Sequence, residues 1–510
     1  MDNKQIKFGV ILQYVQMALS IIINLIYTPF MIKILGDSEY GIYSLVASII
    51  AYLNLLSLGF GASYIRFYSK YKMQNDDVGI SKLNGLYLIV FTIMGVIAFT
   101  TGLIMAFNVK IFFNDTYATN DLQLAKILMI FLAINLFFSF FGSVFNSYVT
   151  SQEKFIFQKL INIGKTVLSP LLCIVFLLNG YGSIGMVIIT TFISIFIDGI
   201  NILYCFIKLK MRISFKDIKI SLLKEIAVFS IFIAINQLID QINWQTDKII
   251  LGKMLNASAV AIYTVGSTIN SLYLNFSTAI SNVFAPKIHR IENSEKLENE
   301  KNEEHTDLFI KVGRIQFFIL SLILTGFIFF GKYFIKIWAG ENYSLSYYIT
   351  LLLICPATIS LCQNIGIEIQ RAKNKHQFRS IVYLIMAIVN VFISIILCYF
   401  IGNIGTAIGT AISLLLANGL IMNIYYHKKM GINIIKFWKS IFSILPSLII
   451  PLIIGICIMN FVNYNSLFDF GGWIILYVIV YCIFILLIGT NKEEKSYIFG
   501  FFKKTLKLKK

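Results

Sequence analysis

Asn236, Asp240, Trp244 and Asp247 recur at i, i+4, i+8 and i+11 inside an otherwise apolar run, a spacing that places them on one helical face. A carboxylate there can hold a cation or a proton, or contact a polar cargo. At the centre of a membrane helix an ionisable group costs about 2.5–3.5 kcal/mol on insertion scales, so it needs a partner or a wet cavity. Asp240 is accordingly the most probable charged member of a polar path. Near the N-terminus Gln13, Gln16, Ser20 and Asn24 form a second stripe. Polar residues of this kind also serve simply to join helices by hydrogen bonds. That bland reading suits Gln16, Ser20 and Asn24 well and Asp240 less well.

A second group is cationic. Arg66, Lys165 and Arg371, with Glu368 beside the last, flank the expected inner mouth of such a path, where guanidinium and ammonium groups would attract a pyrophosphate headgroup. Taken singly, each is explained as well by the ordinary excess of positive charge on the inner face. Asp198 and Glu225, nearer expected helix ends, are explained by snorkelling or interfacial pairing.

Other chemistry finds no support. Cys173, Cys205, Cys355, Cys362, Cys398, Cys457 and Cys482 all lie in apolar runs, with no CxxC pair and no neighbouring His, and read as small hydrophobic fillers. His289, His305, His376 and His427 lie in charged connectors, so no metal set or catalytic triad is expected. Gly164, Lys165 and Thr166 imitate the end of a phosphate-binding loop, but Lys159 occupies the required first glycine position. No cofactor and no nucleotide-driven step are expected, and no outer loop is long enough to carry catalytic carboxylates, so the chain is read as a non-enzyme.

The elements that must position these residues are set by composition. With 58% hydrophobic residues, 13% charged residues and a mean hydropathy of +0.79, most of the chain requires lipid as its solvent. The net charge of +18 does not gather on a face but punctuates long apolar runs, which argues against nucleic acid. Runs of about 20 residues, enough for a hydrocarbon core of about 30 Å, fall near 8–32, 40–64, 83–107, 126–150, 156–178, 183–206, 224–246, 256–284, 312–338, 346–367, 379–401, 404–427, 438–462 and 470–489. The expected fold is therefore an all-α integral membrane protein of about fourteen helices. The first run is too long for a cleaved signal peptide and lacks a small-residue cleavage site, so it is expected to stay as the first span.

Only Lys33, Lys110, Lys126, Lys248, Lys253, Lys332 and Lys336 fall on one side of this arrangement. The other 36 of the 43 Lys and Arg fall opposite, which predicts cytoplasmic N- and C-termini. The mixed-charge connector 287–311 reads as solvated or surface-lying, and the tail lysines Lys503, Lys504, Lys507, Lys509 and Lys510 as lying near anionic lipid.

The chain also repeats itself. An offset of 220 superposes Leu35, Ser38, Ile42, Tyr43 and Ser44 on Leu255, Ser258, Ile262, Tyr263 and Thr264. The same offset takes Gly182, Ile184, Gly185, Thr190, Asp198 and Gly199 to Gly402, Ile404, Gly405, Thr410, Asn418 and Gly419, and 221 takes Lys154 and Phe157 to Lys375 and Phe378. The stripe residues Gln16 and Ser20 fall on Asn236 and Asp240. This predicts a six-helix lobe over 1–215, a second over 216–430, helices 13 and 14 over 431–490 and a basic cytoplasmic tail over 491–510. Six spans being even, the lobes enter in the same orientation, related by a pseudo-two-fold axis along the membrane normal with the cargo path between them.

Together with the span count and the repeat, Tyr27, Thr28, Pro29 and Phe30, then Leu35 and Gly36, then Glu39, Tyr40, Gly41, Ile42 and Tyr43 resemble the polysaccharide-transport branch of the multidrug/oligosaccharidyl-lipid/polysaccharide exporter superfamily. The resemblance runs over the whole chain. It implies a bacterial inner-membrane flippase that turns undecaprenyl-diphosphate oligosaccharide to the outer leaflet for surface polysaccharide, driven by an ion gradient (Na+ or H+) rather than ATP. Membrane lipids, glycosyltransferases and a polysaccharide polymerase are the partners it implies. An ion-coupled multidrug or metabolite antiporter of the same superfamily and a peptidoglycan-precursor flippase are the alternatives. The latter would be expected to carry a strongly cationic cavity, whereas Asp240 is acidic.

Overall fold

The computed structural model describes residues 3–217, 220–462, 464 and 466–496; the tail lysines Lys503 to Lys510 lie outside them. Peptide groups in a bilayer must satisfy one another within the chain, and the described residues form helices and no strand. In chain order these are α1 (Asn3–Ala51), α2 (Phe60–Met73), α3 (Asp77–Phe107), α4 (Thr119–Ser151), α5 (Phe155–Leu178), α6 (Gly182–Ile207), α7 (Ile220–Met254), α8 (Ala257–Glu292) and α9 (Glu298–Trp338). There follow α10 (Ser344–Cys362), α11 (Ile365–Ala372), α12 (Gln377–Ile401), α13 (Asn403–Leu414), α14 (Met422–Lys429), α15 (Ile434–Phe442), α16 (Ile449–Phe461) and α17 (Leu467–Phe484).

Twelve described stretches are long and apolar enough to cross a membrane, not the fourteen expected. Two local causes account for the difference. The first stretch, Phe8–Met73, runs through both of the first two expected spans. It is broken internally where Gly36 adopts φ 73° and ψ 174°, a backbone open to glycine because it has no Cβ. The eighth expected span falls on α8, whose Ser, Thr and Asn content keeps it outside the twelve. The chain is a multi-pass membrane protein by either count.

The connector around 287–311 is largely exposed from Lys287 to Glu300, as a surface-lying segment would be, but it is helical. It is the end of α8, a short turn and the start of α9, with buried His305 held to Glu292 at 2.9 Å. The nearly buried ammonium of Lys373 donates to Glu298 at 2.7 Å and to Asn302 at 2.6 Å. The Lys373 hydrogen bond holds the Glu298 carboxyl below the usual carboxylate range.

Packing divides the described residues into two compact units, one drawn from Met1–Thr264 with Val391–Thr406 and the other from Val265–Asn390 with Ala407–Lys510. Within the first, Glu39 reaches from α1 to accept the Ser183 N–H at 2.6 Å, a carboxylate satisfying an open donor at the N-terminus of α6. Two residues on, a Cβ at Gly41 would stand 1.9 Å from the Ala257 carbonyl oxygen, and a Cβ at Gly252 would stand 2.4 Å from Leu45 Cδ2. These glycines let helix backbones approach as small residues do in membrane bundles. Within the second unit, Phe309 sits edge-on to both Phe437 and Tyr426 in a core completed by α10 and α11.

Local geometry recurs at the offset seen in the sequence. Left-handed backbone occurs at Glu153 and Asn374, at Gly182 and Gly402, and at Lys210 and Gly431. The hydrogen bond from Lys154 N to Val149 O is repeated from Lys375 N to Gln370 O, and that from Met211 N to Cys205 O is repeated from Ile432 N to Tyr426 O. Phe157 stacks on Tyr204 at 3.5 Å, as Phe378 does on Tyr425 at 4.2 Å, both with planes 13° apart.

The glycine contacts yield a paired expectation. Gly41→Leu forces the α1 backbone off Ala257 and should destabilise the protein by about 1–3 kcal/mol, the usual cost of overpacking. Gly164→Ala in α5, where nothing lies within 4 Å of the added Cβ, should be neutral or stabilising by up to about 1 kcal/mol. Thermal midpoints in detergent decide both.

Candidate functional site

The site is built on α7, which runs antiparallel to the segment from the end of α1 through α2. From its N-terminus upward, Glu225 pairs with Lys70 at 3.8 Å and the Arg66 guanidinium lies 4.4 Å over the Phe229 ring. Ser230 donates to Ser63 at 3.1 Å, and Ser57 to Gln237 at 3.5 Å. Tyr52 donates to the Gln241 carbonyl at 3.3 Å and is hydrogen-bonded to Thr246. Near the far end Tyr117 donates to the Gly252 carbonyl at 3.1 Å, and Lys253 to the carbonyls of Lys110 and Phe113. This seam joins one face of α7 to the helices beside it. A buried relay continues behind it, with Ser63 bonded to Tyr87 at 2.7 Å, Tyr64 donating to Asn84 at 2.5 Å and Asn84 to the Arg212 carbonyl at 2.8 Å.

The sequence stripe overlaps this seam: Asp240 lies seven and eleven residues on from Ile233 and Phe229, within about 20° of them round the helix, and Ile233 packs at Gly59 while Phe229 lies under Arg66. Asn236 and Asp240 are exposed and Trp244 is half-buried. Asp247 differs from its stripe mates: it is 2% exposed, and the Tyr263 hydroxyl of α8 donates to its carboxylate at 2.5 Å. Asp247 therefore holds α8 to α7, while the side chain of Asp240 is exposed. On α1, Gln13 and Asn24 are exposed, and Gln16 and Ser20 half-buried. Asn24 turns its amide back on its own helix, donating to the Ser20 carbonyl at 2.8 Å.

Among the cationic candidates, Arg66 is exposed with its guanidinium stacked in the α7 seam, and Lys165 is exposed on α5. Arg371 is exposed and bonded to Glu368 at 2.6 Å. Asp198 is not at a helix end. It lies within α6, half-buried, its carboxylate packed where a Cβ on Gly142 of α4 would stand 2.4–2.6 Å away. Close approach of α4 and α6 at that glycine accommodates it, and the Lys165 charge acts on its carboxylate, in keeping with the pairing expected. Among the described residues no three His, Cys, Asp or Glu converge to hold a metal ion.

Sequence reasoning passed over Arg314. Its side chain is 5% exposed and bonded to Glu494 at 2.6 and 2.8 Å, to the Gly489 carbonyl at 2.7 Å and to Ser440 and Ser443. One guanidinium thereby ties α9 to the segments on both sides of α16 and α17. The partners lie 126 to 180 residues away in sequence, so no local spacing announces them.

Residues 8–292 match the family described as "Polysaccharide biosynthesis protein". The chain is 22% identical over 497 residues to the "Uncharacterized membrane protein EpsK" of Bacillus subtilis (strain 168), covering 96% of each. It is 19% identical over 327 residues to a "Putative O-antigen transporter" of Shigella flexneri, covering 62% of this chain and 72% of that protein. Its fold is similar to that of a lipid II flippase, MurJ, in an inward closed conformation, with TM-score 0.73, 17% identity and coverage of 94% and 97%. It is also similar to an inward-facing multidrug resistance MATE family transporter of the MOP superfamily, with TM-score 0.61, 16% identity and coverage of 83% and 96%.

The two carboxylates and the polar stripe make separable demands. Tyr263→Phe withdraws a donor from buried Asp247 and should cost about 1–3 kcal/mol. Asn24→Ala removes an amide bonded within its own helix and should stay within about 0.5 kcal/mol. Glu494→Gln removes the charge paired with buried Arg314 and should cost about 3–5 kcal/mol. Thermal or denaturant midpoints of the purified variants measure all three.

Proposed function

We propose that this chain, which belongs to the polysaccharide biosynthesis protein family, is a flippase for undecaprenyl-diphosphate-linked oligosaccharide repeat units. It moves them by alternating access from the cytoplasmic to the outer leaflet of the bacterial inner membrane, for surface polysaccharide. The observation that carries the reading is the pair Asn236 and Asp240, an amide and a carboxylate exposed one turn apart within an otherwise apolar helix. Polar and charged groups on a membrane helix belong against a wet path, and a sugar-bearing headgroup needs one to cross. Family membership and the similarity to a putative O-antigen transporter support the cargo class. The split of Lys and Arg between the two faces supports cytoplasmic termini.

Asp240 is the proposed coupling site for Na+ or H+, with Asn236 and Trp244 beside it and Gln16, Ser20 and Asn24 of α1 as further wall. Arg66, Lys165 and Arg371 draw the diphosphate in at the cytoplasmic side. The two repeats, 1–215 and 216–430, supply the parts that alternate. A fold shared with a MATE transporter favours one competing reading, an ion-coupled antiporter of small molecules, which Asp240 would serve equally. A lipid II-type cargo is the other, favoured by the fold shared with MurJ.

Leaflet exposure of a labelled undecaprenyl-diphosphate oligosaccharide in proteoliposomes, under an imposed ion gradient, decides among them. The expected outcome is translocation that depends on the protein and falls roughly tenfold with Asp240→Asn, within the range that coupling between sites normally spans. Exposure independent of the protein, accompanied by gradient-driven efflux of a small cationic drug, moves the assignment to an antiporter. Selective transport of lipid II moves it to a peptidoglycan-precursor flippase.

A further inference from the structure

At the ends of α12 and α14 a groove of about 570 Å³ opens on the surface of the second unit. Its wall is hydrocarbon: Phe378 and Tyr425 stack, and Leu420 and Ile424 stand exposed beside them. Its rim is Lys375, Lys428 and Lys429, all exposed. The rim is held by the fold. Tyr425 donates to the Lys375 carbonyl at 3.1 Å, and Lys375 reaches the Lys429 carbonyl at 3.1 Å. Among the described residues lining the groove none is acidic; outside the lining the Glu298 carboxylate acts on Lys375 through its charge, and three lysines against one carboxylate leave the rim net positive.

Like charges so placed repel one another unless an anion joins them. The wall beside them is apolar and lies where a membrane helix ends, so the anion that fits brings hydrocarbon with it. We infer that this groove is a binding site for an anionic phospholipid, its phosphate on Lys375, Lys428 and Lys429 and its acyl chain along Phe378, Leu420 and Ile424. Basic pockets at the cytoplasmic ends of membrane helices take such headgroups. The assignment to the cytoplasmic leaflet rests on the orientation proposed above; the binding does not.

Part of this set recurs in the first repeat, where Lys428 and Leu420 fall on Ile207 and Gly199. An offset of 221 takes Lys375, Phe378, Ile424, Tyr425 and Lys429 back to Lys154, Phe157, Leu203, Tyr204 and Lys208, and the stacked ring pair is present there too. A stacked ring pair flanked by two lysines in both repeats fits lipid of the surrounding leaflet better than a single cargo in transit.

Intact mass spectrometry of the full-length protein released from detergent micelles tests the site, with dioleoylphosphatidylglycerol, dioleoylphosphatidylcholine and undecaprenyl diphosphate as probes. Wild type is expected to retain phosphatidylglycerol over phosphatidylcholine. The triple variant Lys375→Gln, Lys428→Gln, Lys429→Gln should lose one bound phosphatidylglycerol, with affinity at that site falling roughly fivefold per lysine and on the order of a hundredfold in all. Replacing the same three lysines by arginine should retain it, separating lost charge from misfolding. Equal retention of the two phospholipids, a glutamine variant that binds like wild type, or undecaprenyl diphosphate displacing phosphatidylglycerol from this site would each overturn the inference. The readout is binding in micelles, so failure of the transport assay leaves it standing.

Discussion

In hydrocarbon an unpaired peptide N–H or C=O costs several kcal/mol, and no water is at hand to pay it. A chain this apolar must therefore keep its backbone in helices and turn only where a glycine or a polar side chain takes over the lost hydrogen bonds. Gly36 supplies the break within the first long helical stretch, and Glu39 then caps α6. Asp76, Asn433 and Ser466 cap α3, α15 and α17 in the same way. The positions that resembled a transporter family in the sequence thus have physical duties: Glu39 satisfies a helix end and Gly41 admits a neighbouring carbonyl.

The same constraint sorts the polar side chains. Once the backbone is satisfied, a polar group on a membrane helix either binds a neighbouring helix or faces a wet path. α7 does both. Its seam, from Glu225 to Thr246, is spent on the helices beside it, and Asp247 is spent on Tyr263. Asn236 and Asp240 are exposed one turn apart on the same helix, and the proposed transport path is built on them.

Periodicity made the helices legible and the offset of 220 made the repeat legible, down to the paired Phe and Lys that recur beside the stacked rings. The twelve apolar stretches do not reproduce the expected fourteen because the first of them runs through two expected spans on either side of Gly36, and because α8 carries enough Ser, Thr and Asn to fall below an apolar span. The α7 stripe was readable as a face; that α8 covers its last member, Asp247, was not, because burial depends on a neighbouring helix and not on spacing. Arg314 was invisible for a related reason: its partners on α15 and beyond α17 meet it only after the chain has crossed the membrane several times. For Asp198 pairing was readable as one of two options, and the Lys165 charge does act on it; that Gly142 makes room for it was not, because that glycine belongs to another helix.

Site-directed cysteine labelling tests the central claim most directly, that the Asn236 and Asp240 face of α7 borders water and not lipid. In a background lacking the seven native cysteines, Asn236→Cys and Asp240→Cys would be treated in intact membranes with a charged maleimide, with Val228→Cys and Ile231→Cys on the exposed apolar positions of α7 as reference. The account predicts rapid labelling at 236 and 240 and little at 228 and 231. Labelling at 228 and 231 that equals or exceeds that at 236 and 240 would contradict it and leave the stripe as helix-joining glue.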